Sequence, residues 1–208
     1  MCSIVGSYSS DKIIELAKLN EYRGTYSHSI TYINNTSSLL REVKTGLGPL
    51  PYDCITIPDN HYCIVHQQAP TADNYNDNIH PADIGGQLLW HNGIIKEYEI
   101  KRLQSLYNVD YSWDTKLLLK QLIELKTPNN IDGSFSCVWY YKHNINIFRN
   151  EISPLFIDGD MNISSTMFKN CYSIDANRIF KLDIENKNVI NKEDSDFNTV
   201  ENPYYFGE

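Results

Sequence analysis

The order of elements along the sequence predicts an α+β protein with helices packed on sheets. Strand-like runs and one helix fill the first third of the chain. Two adjacent helical segments follow, and from Ser134 onward the pattern is a succession of short strands. No internal repeat interrupts this order, which suggests layered sheets carrying helices.

Taken in turn, Cys2–Tyr8 reads as a strand. Ser9 or Ser10 caps a helix that carries Ile13, Ile14, Leu16, Ala17 and Leu19. Two β-like runs, 28–34 and 39–45, are followed by a Gly/Pro/Asp-rich loop at 46–60 and a strand at 61–66. The polar stretch 72–86 reads as a surface loop, either a plain solvated connection or a lid over a site. Leu88–His91 is expected as a short strand ending at Asn92-Gly93. A helix then covers 95–107, with Ile95, Tyr98, Leu103 and Leu106 on one face. A second covers 112–126, capped by Ser112 and packed through Leu117, Leu118, Leu122 and Leu125. Strands follow at 134–142, 145–150, 155–158, 163–166 and 179–184, with Asn144 and Asp158-Gly159 at hairpin turns. These elements define one domain over residues 1–184. The segment 185–208 is polar and acidic, the composition of a weakly ordered tail, although Tyr204, Tyr205 and Phe206 could dock on this domain or on a partner.

The chain has 208 residues and a formal charge of −8, so no basic stripe is available to neutralise nucleic-acid phosphates. It shows neither a signal-peptide pattern nor an apolar run long enough to span a bilayer. Five cysteines, odd in number and without a CxxC pair, argue against zinc and against a disulfide framework. His66, His80 and His91 do not have metal-ligand spacing. The expectation is a soluble, acidic protein of the cytoplasm that needs no metal or other cofactor.

Cys2 follows the initiator methionine and is small enough for that methionine to be removed. A terminal cysteine would carry a thiol with a reference pKa of about 8.5 beside an amine of about 7.7–8.0. The amine can then act as a built-in base for the sulfur nucleophile. The alternative is that Cys2 packs as a small hydrophobe opening a buried strand.

Further segments occur in a telling order: Cys2-Ser3-Ile4-Val5-Gly6, Glu21-Tyr22-Arg23-Gly24, His66 through Thr71, His80-Pro81, His91 through Ile95, and Asp114-Thr115. This set resembles the class II glutamine amidotransferases, which are N-terminal-nucleophile hydrolases, and is most similar to the glutaminase domain of glucosamine-6-phosphate synthase. The resemblance runs from Cys2 to about Asp183. It implies a four-layer αββα sandwich, with Cys2 attacking the side-chain amide of glutamine. It implies Asn92 and Gly93 as oxyanion donors, a kind of interaction worth about 3–4 kcal/mol per donor in other enzymes. It further implies Arg23 beside the nucleophile, Asp114 on the substrate ammonium and Thr71 on its carboxylate.

Some residues depart from the family pattern. Gln68 stands where the family has an arginine that grips the substrate carboxylate, and losing such a bond weakens binding roughly 10–150-fold. Ala69 and Ala72 replace a tryptophan and a histidine, and Ser3 replaces a glycine. The implied function is a glutaminase that supplies ammonia to a separate acceptor or synthase subunit. Two alternatives stay open: a catalytically weak homologue serving as a binding or regulatory module, and an amidase of the same class acting on a non-glutamine amide.

Overall fold

The computed structural model describes residues 2–69 and 78–200. The N-terminal third contains β1 (Ser3–Ser7), α1 (Ser10–Asn20), β2 (Ser27–Asn34), β3 (Leu40–Leu47) and β4 (His61–Gln68), with single 3₁₀ turns at Glu21–Arg23 and Tyr52–Cys54. Next come β5 (Ala82–Ile84), β6 (Gln87–Ile95), α2 (Glu97–Tyr107) and α3 (Asp114–Leu125). The remaining strands are β7 (Gly133–Tyr141), β8 (Asn144–Arg149), β9 (Phe156–Ile157), β10 (Ile163–Ser164), β11 (Tyr172–Ser173), β12 (Arg178–Asp183) and β13 (Asn188–Asp196).

These strands form two antiparallel sheets. The first has the order β11-β9-β10-β1-β4-β2-β3 and the second β13-β12-β8-β7-β6-β5. Period-2 alternation gives each sheet two apolar faces. On β1 and β4, Ile4, Tyr62 and Ile64 meet Leu88, Trp90, Val138, Ile145 and Ile147 of the second sheet, forming the core between the sheets. Val5, Cys63 and Val65 point the other way and pack under Ile13, Leu16 and Ala17 of α1. On the far side, Leu89, Phe135, Cys137 and Trp139 pack against Leu103 of α2 and Leu117, Leu118 and Leu122 of α3. The layers are therefore helix, sheet, sheet, helices, which is the αββα arrangement expected for an N-terminal-nucleophile hydrolase.

Ser9, rather than Ser10, caps α1, its side chain accepting the Lys12 N–H. Leu19 lies off the buried face and is exposed. The β7–β8 hairpin turns at Lys142-His143, both at positive φ, with Asn144 opposite Tyr141.

Several expectations need correction. Asn92-Gly93 does not end a strand, because β6 runs on to Ile95 and both residues stay in register with Ser136 and Phe135. Long-range pairing to β7 overrides the local turn preference. Ile95 belongs to that ladder, so α2 begins at Glu97; its buried positions are Glu99 and Leu103, while Tyr98 and Leu106 face outward. Helix α3 begins at Asp114 with Trp113 at the cap position, leaving Ser112 exposed and outside, and Leu125 also faces outward. Within the stretch 72–86, residues 82–84 form the edge strand β5. The segment expected as a weakly ordered tail contributes β13, which pairs with β12 over residues 188–191 and again at Asp196, with a register shift between. Phe197 is buried just beyond it. A polar edge strand with one wet face has the composition of a tail, so composition alone misreads it. The aromatic trio at 204–206 lies outside the described residues.

Trp90 is fully buried at the centre of the inter-sheet core. Trp90→Ala is expected to cost about 3–5 kcal/mol, read as a lowered midpoint in chemical denaturation.

Candidate active site around Cys2

Strand register builds the site. β1 pairs with β4 through Ile4↔His66 and Ser3↔Gln67. One further step along that ladder sets Cys2 beside Gln68, and alternation turns Cys2, His66 and Gln68 toward the second sheet. From that sheet Asn92 faces inward, on the same side of β6 as Leu88 and Trp90. The first and second sheets thus each deliver part of the site to one end of the sandwich.

Cys2 is buried, with its Sγ 3.8 Å from the Ala69 carbonyl oxygen. Burial pushes its thiol pKa up; the Ala69 contact and the charge of Arg23 oppose this, and the Asp114 carboxylate adds to it. Arg23, at the end of its 3₁₀ turn, is buried and donates from Nε to the Cys2 carbonyl at 2.9 Å. Gly24 follows it because the backbone of β4 passes too close for a side chain. A Cβ there would lie 2.3 Å from the Ala69 nitrogen.

Asn92 is buried, and its Nδ2 donates to Ser136 Oγ at 3.3 Å and to Ser165 Oγ at 3.4 Å. Ser165 Oγ in turn accepts the Ile4 N–H at 2.9 Å. This serine bridges the Asn92 amide to the strand that begins beside Cys2. Gly93 admits no side chain, since a Cβ would meet the Ser134 carbonyl oxygen at 1.8 Å. Its neighbour across the ladder, Phe135, directs both backbone groups to Asn150 on the β8 side. Antiparallel alternation therefore turns the Gly93 N–H away from β7. On that side β5 pairs with β6 only as far as Leu89.

Asp114 opens α3, and its carboxylate accepts the Ile95 N–H at 3.2 Å and the Thr115 N–H at 2.7 Å. Its effect on the Cys2 thiol places its charge within electrostatic reach of the sulfur. Gln68 is buried, and both ends of its amide are engaged. Oε1 accepts from Ser27 Oγ at 3.2 Å and lies 3.1 Å from His80 Nδ1, while Nε2 donates to the Asn78 carbonyl at 2.9 Å.

Behind these residues lies a buried polar layer. His66 and His80 stack at 3.9 Å, and His66 Nε2 donates to the His91 carbonyl. Burial lowers both rings, His66 to about 3 and His80 well below its ordinary value, so both are neutral. His80 Nδ1 faces the Gln68 carbonyl oxygen and His91 Nε2 faces the Ser134 carbonyl oxygen. Those nitrogens are therefore donors, which leaves Nε2 of neutral His80 as an acceptor and Nδ1 as the remaining ring nitrogen of His91. Each lies 3.1 Å from the Thr115 hydroxyl, which has one proton to give.

Of the expected site residues, Cys2, Arg23, Gln68, Asn92, Gly93 and Asp114 converge. Thr71 and Ala72 lie outside the described residues. Ser136 and Ser165 carry no motif signal, and Thr115 enters only as the second residue of the Asp114-Thr115 pair. Inward parity two positions before Val138 is the one clue that singles out Ser136. A separate groove of roughly 590 Å³, lined by Tyr8, Lys12, Asp158, Asp160, Lys169 and Lys187, contains none of the expected residues. Among the described residues no cluster of His, Cys, Asp or Glu could hold a metal, and no helix is long and apolar enough to cross a membrane.

The fold resembles the N-terminal-nucleophile hydrolase architecture, with a cysteine just before β1, the middle strand of the first sheet. Comparison of the structure with solved structures finds the glutamine phosphoribosylpyrophosphate amidotransferase from B. subtilis, solved with ADP and GMP. The match has a TM-score of 0.63 and 12% identity, covering 92% of this chain and 49% of that one. A second solved chain, described as the allosteric regulatory enzyme of purine biosynthesis, matches with a TM-score of 0.63 and 11% identity, covering 92% and 48%. The chain spans about half the length of these proteins. At such identities the likeness is one of fold. No protein-family model matches the sequence, and no curated protein matches it.

Two outcomes follow from this geometry. An unfolded imidazole takes up its proton near pH 6.5, whereas native His66 resists protonation until about pH 3. The unfolded state therefore binds more protons between these values, and stability falls as the pH drops below about 6.5. Thermal melts at stepped pH are expected to show this decline, with a shallower slope in His66→Gln. Gly93→Ala forces β6 away from the Ser134 carbonyl and is expected to lower stability by roughly 1–3 kcal/mol, measured by denaturant titration.

Proposed function

We propose that this chain is a glutaminase of the class II amidotransferase kind, which hydrolyses the side-chain amide of glutamine and passes the ammonia to a separate acceptor or synthase subunit. The observation that carries the reading is the convergence of Cys2, from the first sheet, with Asn92 and Gly93, from the second, at one end of the sandwich. The motif likeness to the glutaminase domain of glucosamine-6-phosphate synthase and the fold likeness to amidotransferases support it. Five free cysteines are compatible with a reducing cytoplasm.

In this reading methionine removal exposes the Cys2 amine. Burial holds the thiol protonated, so it needs a local base, and the amine takes its proton as sulfur bonds to the amide carbon. The carbonyl oxygen becomes an oxyanion held by the Asn92 side-chain amide and the Gly93 N–H. Collapse breaks the C–N bond, the amine returns the proton to the leaving nitrogen, and ammonia departs. Water then cleaves the thioester, giving glutamate and free Cys2. Arg23 fixes the Cys2 carbonyl, and Asp114 receives the substrate ammonium.

One observation favours a second reading. The Gln68 amide is tied to Ser27, His80 and Asn78, and segment 70–77 contains no lysine or arginine to take the place of the family's carboxylate-binding arginine. An amide lacking an α-carboxylate would suit this pocket, as would weak glutamine turnover.

Intact-mass analysis after incubation with a glutamine-like electrophile tests the reading. One adduct on the methionine-processed chain is expected, absent in Cys2→Ala; an unmodified Cys2 would sink the proposal. Asn92→Ala is expected to lower kcat roughly 100- to 1,000-fold in an ammonia-release assay. Gln68→Arg is expected to lower the KM for glutamine by roughly 10-fold or more. Unimproved glutamine use together with turnover of carboxylate-free amides would favour the second reading.

A further inference from the structure

We infer that Ser165 is a positioning residue which sets the Asn92 side-chain amide relative to the strand that begins at Cys2. The inference rests on the glutaminase reading for its catalytic consequence, but its geometry stands independently of it.

β1 pairs with β10 through Gly6↔Ile163 and Val5↔Ser164, so the next rung would join Ile4 to Ser165. There the backbone ladder is replaced by a mixed arrangement. The Ser165 N–H donates to the Ile4 carbonyl at 3.0 Å, and the Ile4 N–H donates to Ser165 Oγ at 2.9 Å instead of to a backbone oxygen. That hydroxyl oxygen is also 3.4 Å from Asn92 Nδ2, while Ser136 Oγ holds the same nitrogen at 3.3 Å from within the second sheet. Ser165 and Ser136 are both completely buried.

The two serines do different work. Ser136 lies directly opposite Asn92 in β7, so it fixes the amide only relative to its own sheet. Ser165 follows directly on β10 of the first sheet and shares a hydrogen bond with the residue two places after Cys2. It is therefore a contact that ties the strand following Cys2 to the Asn92 amide. Both Nδ2 contacts are long for hydrogen bonds between neutral groups, so an incoming oxyanion competes for that nitrogen without having to break a strong bond. A displacement of about 1 Å between reacting groups lowers rates by roughly 100-fold, so a contact that only orients a donor can matter this much.

The test compares Ser165→Ala, Ser165→Thr and the near-isosteric Ser165→Cys with the wild-type chain. ¹⁵N-labelled protein reports solvent exchange of the Asn92 side-chain amide protons. Ser165→Ala is expected to speed that exchange roughly 10-fold and to lower kcat for glutamine roughly 10- to 100-fold, with KM changed less than about 2-fold. Alkylation of Cys2 by iodoacetamide, a displacement that forms no oxyanion, is expected to stay within about 2-fold of wild type. Ser165→Thr, which keeps the hydroxyl, restores slow exchange and most of kcat. If Ser165→Ala does not fold, Ser165→Cys carries the same comparison. Unchanged Asn92 exchange overturns the inference, as does an equal loss of turnover and alkylation, which marks a displaced β1. A wild-type chain that turns over no amide, while Ser165→Ala still frees the Asn92 amide, overturns the glutaminase reading and leaves the positioning role intact.

Discussion

The pairing of β1 with β4 at a single register is the constraint on which the rest depends. Side chains alternate across a strand, so a slip of one residue would turn Ile4 out of the inter-sheet core and Val5 away from α1. The same slip would carry Cys2 to the helix side, away from Asn92. Core packing and site assembly are therefore one requirement. The burial of Ile4, Tyr62 and Ile64 against Trp90 and Val138 holds the strand that follows Cys2 in the phase that faces the second sheet. Each such fully buried side chain contributes about 1.5–3 kcal/mol, so the register is enforced by far more energy than any single contact at the site supplies.

Close backbone approach is the second theme. Gly24 lies against the backbone at Gln68–Ala69, and Gly93 against the carbonyl of Ser134. Gly24 closes the 3₁₀ turn with extended backbone and Gly93 lies within β6, and at both the missing Cβ matters for space. At Gly93 the tight approach to β7 coincides with an N–H directed away from it, a donor beside the Asn92 amide. Behind the site the neutral His66 and His80 rings, Thr115 and Gln68 form a buried polar layer whose members satisfy one another almost completely. Such a layer is rigid when satisfied and costly when disturbed.

Much of this was legible in the chain. The α+β layering follows from the order of elements, the αββα sandwich was implied only by the family resemblance, and the motifs at Cys2, Arg23, Asn92-Gly93 and Asp114 name residues that the fold brings together. The misreadings share one cause. Asn92-Gly93 has the local chemistry of a turn, Ser112 that of a cap, and 188–196 the composition of a tail. In each case long-range pairing or packing, invisible to a window of a few residues, decided the outcome.

The sequence by itself determined which residue types are present and where alternation places them: a thiol at position 2, an amide at 92, a glycine at 93, a glutamine at 68. Tertiary structure alone decided what holds them. Ser165 is about 160 residues from Ile4 along the chain and about 70 from Asn92, yet it bonds both. Gln68 has its amide tied at both ends by Ser27, His80 and Asn78. Hydrogen-bond partners of this kind are set by which strands stack face to face, and that depends on burying the apolar surface of the whole chain at once rather than on any local run of residues.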